Sequence, residues 1–187
     1  MATTFREIKL RRVMQVIFVI YFVLLLRFTL FKYVTLTNLP DAFFMTEREA
    51  NLIPFKGIYD MVKNFSMHSL VNNILGNILL FLPFGILWPS TTVFEGETTI
   101  YGCLTSLLIE VAQYAFAMGG ADIDDIILNT LGTIIGYKLI YRLMVNLFKE
   151  RETMLTVMAV VMGTGAVAGT FLLYYSGYLV KGFPYYS

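Results

Sequence analysis

Charge is what this sequence of 187 residues has least of: Asp, Glu, Lys and Arg together make up 14% of it, against about 25% in ordinary soluble domains. The formal net charge of +1 offers no broad field to hold a polyanion, which disfavours a nucleic-acid binder. The single cysteine, Cys103, excludes an intramolecular disulfide, and the single histidine, His68, excludes a histidine-rich metal site. GxSxG, a Walker loop, HExxH and CxxC are all missing, so no standard nucleophile, nucleotide or zinc chemistry is written here. What the chain does have is apolar: 57% hydrophobic and 16% aromatic residues, with a mean hydropathy of +0.69. A soluble enzyme and a disordered tail are disfavoured, and a bilayer is the expected solvent.

Five segments are long and apolar enough to cross about 30 Å of hydrocarbon, which takes roughly 20 helical residues. They run from about Val13 to Phe31, Val71 to Trp88, Thr98 to Met118, Ile123 to about Val145, and Met154 to about Tyr175. The expected fold is therefore all-α, a polytopic membrane helical bundle forming one domain over residues 1–187. Pro83 and Gly85 interrupt the second span, which membrane helices tolerate. The basic start (Arg6, Lys9, Arg11, Arg12) resembles a signal peptide, but RFTLFKYVTLTNLP follows in place of a small-x-small cleavage site, so an uncleaved anchor is expected.

Lysine and arginine placement sets the orientation. The N-terminus and the connection bearing Arg142, Lys149 and Arg151 are expected on the cytoplasmic side, with a short cytoplasmic turn from Pro89 to Glu97. The stretch from Lys32 to Leu70, the ADIDD turn and the tail after Tyr178 are then external. Tyr33, Tyr114 and Tyr174 to Tyr178 mark outer interfaces, and Trp88 and Tyr141 inner ones.

Polar side chains inside spans are the informative ones, because burying them costs a few kcal/mol, on the order of 2 or more each, unless they are partnered. Asn73 and Asn77, Glu110 and Gln113, and Asp125 and Asn129 stand at i, i+4 or i, i+3, so each pair shares a helix face. Counted from the outer ends of the spans, Asn77 and Asn129 lie roughly 9 Å deep and Glu110 roughly 12 Å. One cluster in the outer half of the membrane accounts for this layer. It reads either as interhelical glue or as a site open to the outside, with Asn72 on a different face.

Asp122, Asp124 and Asp125 stand just before the fourth span. As structure, Asp122 is an N-cap and its neighbours complement the helix dipole. As function, the alternatives are a hard cation on oxygen ligands, a cationic or amine-bearing ligand, or Arg48; the spacing matches no EF-hand, so a metal is disfavoured and neither metal nor cofactor is the expectation. Arg48 and Asn51 belong to TEREANLIPFKGIYD, a segment too polar to span and expected to lie in the outer interface or fold back over the helices. Arg27 reads as a lipid-facing anchor or a partner of Glu110, and Lys138 as reaching the inner surface. Gly132 with Gly136, and Gly165 with Gly169, form GxxxG patterns expected to pack helices within the chain.

In order and spacing, R-x-x-NLIPF (Arg48, Asn51 to Phe55), NNILGNILLFLPFGILWP (Asn72 to Pro89), IEVAQ (Ile109 to Gln113) and DIDDIILNTLGTIIGY (Asp122 to Tyr137) resemble the VanZ-like family of bacterial membrane proteins. Members commonly carry a Gly-Arg pair just before the DIDD run, where this chain has Gly120. The resemblance implies a link to lowered susceptibility to teicoplanin and other glycopeptide or lipoglycopeptide antibiotics, with no settled mechanism.

The leading expectation is a cell-envelope protein of the cytoplasmic membrane. Its external ligand-binding cluster, Arg48, Asn51, Asn73, Asn77, Glu110, Gln113, Asp122, Asp124, Asp125 and Asn129, would engage a lipoglycopeptide or a lipid-linked peptidoglycan precursor. The alternatives are an intramembrane enzyme on a lipid-linked cell-wall substrate, with a carboxylate as general base, and a small proton-coupled transporter, which the lack of an inverted repeat disfavours.

Overall fold

A computed structural model describes residues 5–30, 50–65, 67–92, 94–116 and 119–175, and these are mostly helical. In chain order come α1 (Phe5–Thr29), β1 (Ala50–Asn51), α2 (Lys56–Lys63), α3 (Met67–Thr91), a 3-10 turn (Glu95–Glu97), α4 (Thr98–Ala115), β2 (Ala121–Asp122), α5 (Ile123–Ile134), a π-helical stretch (Ile135–Tyr141), α6 (Arg142–Leu147) and α7 (Arg151–Tyr175). Residues 123–147 thus form one rod of α, π and α segments.

Several boundaries depart from the hydropathy reading for local reasons. α1 starts at Phe5 because its basic first turns, though too polar for hydrocarbon, are good helix formers. α3 runs through Pro83 and Pro89 to Thr91, so the expected turn at Pro89 begins later. Its last turns are tied by Ser90 Oγ, which donates to Ile86 O at 3.3 Å, and Thr91 Oγ1, which donates to Trp88 O at 2.9 Å. The parallel pairing of β1 with β2 adds a short non-helical element to an otherwise all-α expectation.

Among the described residues two helices, α1 and α3, are long and apolar enough to cross a membrane, each with a hydropathy of 1.8. The exposed surface is apolar elsewhere too, with Leu104, Leu107, Leu108 and Val111 on α4 and Val160, Val161 and Val167 on α7. Meanwhile Ser90, Thr98, Ser106, Glu110, Asp124, Asn129 and Thr133 are buried. So broad an apolar exterior, with polar side chains among the buried residues, departs from a water-soluble bundle.

Glycine lets the central helices touch. A Cβ on Gly132 would lie 2.3 Å from Ile78 O, one on Gly136 2.2 Å from Leu82 O, and one on Gly85 2.2 Å from Thr133 O. The first GxxxG pattern therefore packs α3 against residues 123–141, as expected. The second does not behave alike: Gly165 faces open space, while Gly163, 3.7 Å from Ile17, is the glycine turned toward α1. Gly169 lies outside the residues whose surroundings are described.

One apolar cluster, including Met14, Ile17, Tyr141, Leu155 and Met158, joins α1, α3, α7 and the π stretch. Another, Leu25, Phe81, Phe84 and Ile109, joins α1, α3 and α4. Phe84 stacks on Trp88 at 5.5 Å and Trp88 meets Tyr101 at 4.9 Å. Beside Pro83, Tyr21 Oη donates to Leu80 O at 2.7 Å. This packing separates two ends. At one, Arg6 pairs with Glu152 at 3.7 Å and Arg151 with Glu95 at 2.8 Å. At the other, β1, α2, β2 and the start of α5 gather against the start of α3 and the end of α4.

Candidate functional site

Two residues per strand cannot hold a sheet by ladder bonds alone, and side chains bolt this one together. Ala50 lies opposite Ala121, and Asn51 opposite Asp122. Asn51 Nδ2 donates to Asp122 Oδ1 at 3.0 Å. The Asp122 backbone N–H donates to Glu110 Oε2 at 2.8 Å, so Glu110, 4% exposed, anchors the strand from α4. Asp122 Oδ1 also accepts from Asp124 N at 2.9 Å, the N-cap expected at the start of α5.

Asp124, 2% exposed, serves a different helix. It accepts from the N–H groups of Phe55 and Ile58, the first turn of α2, which has no side-chain cap of its own. Phe55 has φ of 64°, a left-handed conformation that costs a bulky residue roughly 1–2 kcal/mol, and the carboxylate beneath it offsets that cost. Gly57 makes the seating possible: a Cβ there would lie 3.1 Å from Asp122 Oδ2 and 3.2 Å from Asp124 Oδ2. The segment after Asn51 therefore folds back over the helices, and it does so on two aspartates.

Beside this junction, Asp125 Oδ1 accepts from Asn77 Nδ2 at 2.6 Å and from Asn73 Nδ2 at 3.4 Å. The i, i+4 asparagines thus share a face and a partner, as their spacing predicts. Asn72 turns elsewhere, toward the His68 ring on its own helix. Asn129 and Gln113 are not drawn into the same network. Asn129 is one turn deeper than Asp125, donates to Ser106 Oγ at 2.9 Å and leaves its buried Oδ1 unpartnered. Gln113 Nε2 donates to Thr29 O at 3.2 Å, tying α4 to the end of α1. Arg48 lies outside the described residues, as do Tyr33 and the tail after Tyr178.

The arrangement concentrates acceptors. A carboxylate offers about four lone-pair positions, and Glu110 uses one of them on the Asp122 amide. Among the described residues no group of three or more His, Cys, Asp or Glu is placed to hold a metal ion. Gly57, Phe55 and Ser106 were not expected from sequence. Only Gly57 had a signal to offer, as the one glycine between NLIPF and IYD, directly after a segment that had to turn.

The family model VanZ/LLP1 matches residues 18–149, a stretch holding every site residue named above. Protein VanZ of Enterococcus faecium is 32% identical over 122 residues, covering 64% of this chain and 68% of that protein. No solved structure matches the chain. With the matched stretch containing both strands, the two aspartate caps and the glycine-mediated crossing, the chain belongs to the VanZ/LLP1 family.

Proposed function

We propose that this is a multi-pass protein of the bacterial cytoplasmic membrane whose acidic end faces outward and engages an amine-bearing amphiphile. That ligand is a lipoglycopeptide antibiotic or a lipid-linked peptidoglycan precursor, and its engagement lowers glycopeptide susceptibility. In this reading α1, α3, α4, the rod 123–147 and α7 all cross the bilayer, with the Arg6–Glu152 end in the cytoplasm. The observation that carries it is the convergence of Asn51, Glu110, Asp122 and Asp124 from separate parts of the chain onto one junction, with Asp125 beside it.

The surroundings suit an amphiphile. Leu52, Ile53, Phe55, Tyr59, Val62 and Phe65 are exposed around α2, while Lys56 and Lys63 flank them, the pattern of a helix lying in an interface. Apolar surface for a lipid tail therefore adjoins carboxylates for a cationic head. Gly120, where family members commonly carry arginine, leaves the acidic charge of the turn undiluted.

The test is antibiotic susceptibility in a glycopeptide-susceptible bacterium expressing matched membrane amounts of each variant. Glu110→Gln and Asp125→Asn are expected to return susceptibility to the empty-vector level. Unchanged protection at matched abundance would overturn the site.

A further inference from the structure

At the end opposite the acidic junction, α1 and α7 enclose a cleft of about 420 Å³, within the range of small-molecule sites. Three guanidinium groups line it, from Arg11, Arg12 and Arg151, together with Glu7, and Ile8 and Leu155 supply apolar wall. Arg151 is held by Glu95 at 2.8 Å, which fixes its planar fork and leaves other N–H donors to spare. Among the described residues, neither Arg11 nor Arg12 has an ion-pair partner, and Arg11 is half-buried. Gln15 is pinned by donating to Thr91 O at 3.2 Å, which ties α1 to the end of α3. With Glu95 taken up by Arg151 and Glu7 the one lining carboxylate, Arg11 and Arg12 still leave the cleft with surplus positive charge. Guanidinium forks meet phosphate in particular by paired, charge-assisted hydrogen bonds.

We infer that this cleft binds a phosphate group, with Arg11, Arg12 and Arg151 as its ligands. The inference rests on the membrane reading but not on the outward site. Placed in the bilayer as proposed, the cleft opens at the inner headgroup level, where anionic phospholipids present phosphate above an acyl chain. Ile8, exposed at the rim, then meets the glycerol and upper chain. A free phosphate would use the same arginines without the apolar wall.

The full chain in nanodiscs of phosphatidylcholine with a minor share of phosphatidylglycerol, released for native mass spectrometry, reads out which lipid is retained. Phosphatidylglycerol is expected to be retained over phosphatidylcholine. Arg11→Gln and Arg12→Gln, singly, should each weaken that preference about tenfold, the loss of one charge-assisted contact. Arg11→Lys should restore part of it. Lys149→Gln, a charge of the same end outside the cleft, should leave it intact. Inorganic phosphate added before release separates the sources: displacement of the lipid assigns the cleft to phosphate alone, and retention assigns it to the lipid. Equal retention of both lipids, or an equal loss in Lys149→Gln, would overturn the inference. Failure to insert into the discs would overturn the membrane reading and this site with it, whereas insertion without preference overturns this site alone.

Discussion

At the scale of single residues, Asp124 shows how one side chain decides the placement of a distant segment. Its carboxylate replaces the cap that α2 lacks, accepting from Phe55 and Ile58. Asp124→Ala leaves those amides unsatisfied and the left-handed Phe55 uncompensated, and should destabilise the protein by about 2–3 kcal/mol. Asp124→Asn keeps an acceptor and should cost roughly half as much. Thermal unfolding in detergent checks both, and equal melting temperatures for wild type and Asp124→Ala would contradict the capping role. The aspartate run was legible as a helix start, since Asp122 fits the N-cap position. That the second aspartate caps another helix was not, because nothing local in ADIDD refers to a segment about 70 residues away.

At the scale of elements, α3 and the rod 123–147 meet through glycine rather than through large side chains. Gly132, Gly136 and Gly85 let carbonyls and backbone of α3 and the rod 123–147 come into contact, which in a bilayer supplies packing that the hydrophobic effect does not. Gly132→Ala puts a Cβ 2.3 Å from Ile78 O and should cost about 1–3 kcal/mol, because backbone has to move. Gly76→Ala and Gly165→Ala meet nothing within 4 Å and should be neutral or stabilising by up to ~1 kcal/mol through helix propensity. Unfolding midpoints of the three variants, measured side by side, check this contrast. The sequence pattern GxxxG occurs twice; the first is a helix crossing, whereas in the second Gly165 faces open space. The pattern records room for close approach; whether a neighbour fills it depends on how the helices are arranged.

For the whole molecule, the bundle sorts charge to its two ends, carboxylates beneath α2 at one and arginines between α1 and α7 at the other. Cysteine labelling in intact cells tests how these ends face, and Cys103→Ser supplies a cysteine-free background. In that background Asn64→Cys, just after α2, should react with a membrane-impermeant maleimide, and Glu150→Cys, just before α7, should react only after the cells are opened. The reverse pattern would invert the orientation, and reaction at both positions would remove the odd number of crossings. Short connections between α3, α4, the rod 123–147 and α7 make this sorting possible, since each of these carries the chain onward over a long helical run.

The sequence by itself determined the helical class, the approximate positions of the long helices, the Asp122 cap, the shared face of Asn73 and Asn77, and the family, because hydropathy, capping and i, i+4 spacing are local properties. Only the tertiary structure decided that Asp124 belongs to α2, that Glu110 holds a strand through a backbone amide, and that Asn129 and Gln113 bond away from the junction. It also decided that Arg11, Arg12 and Arg151 share one cleft. These are pairings between groups far apart in the chain, and which distant donor meets which acceptor is fixed only when the helices have packed.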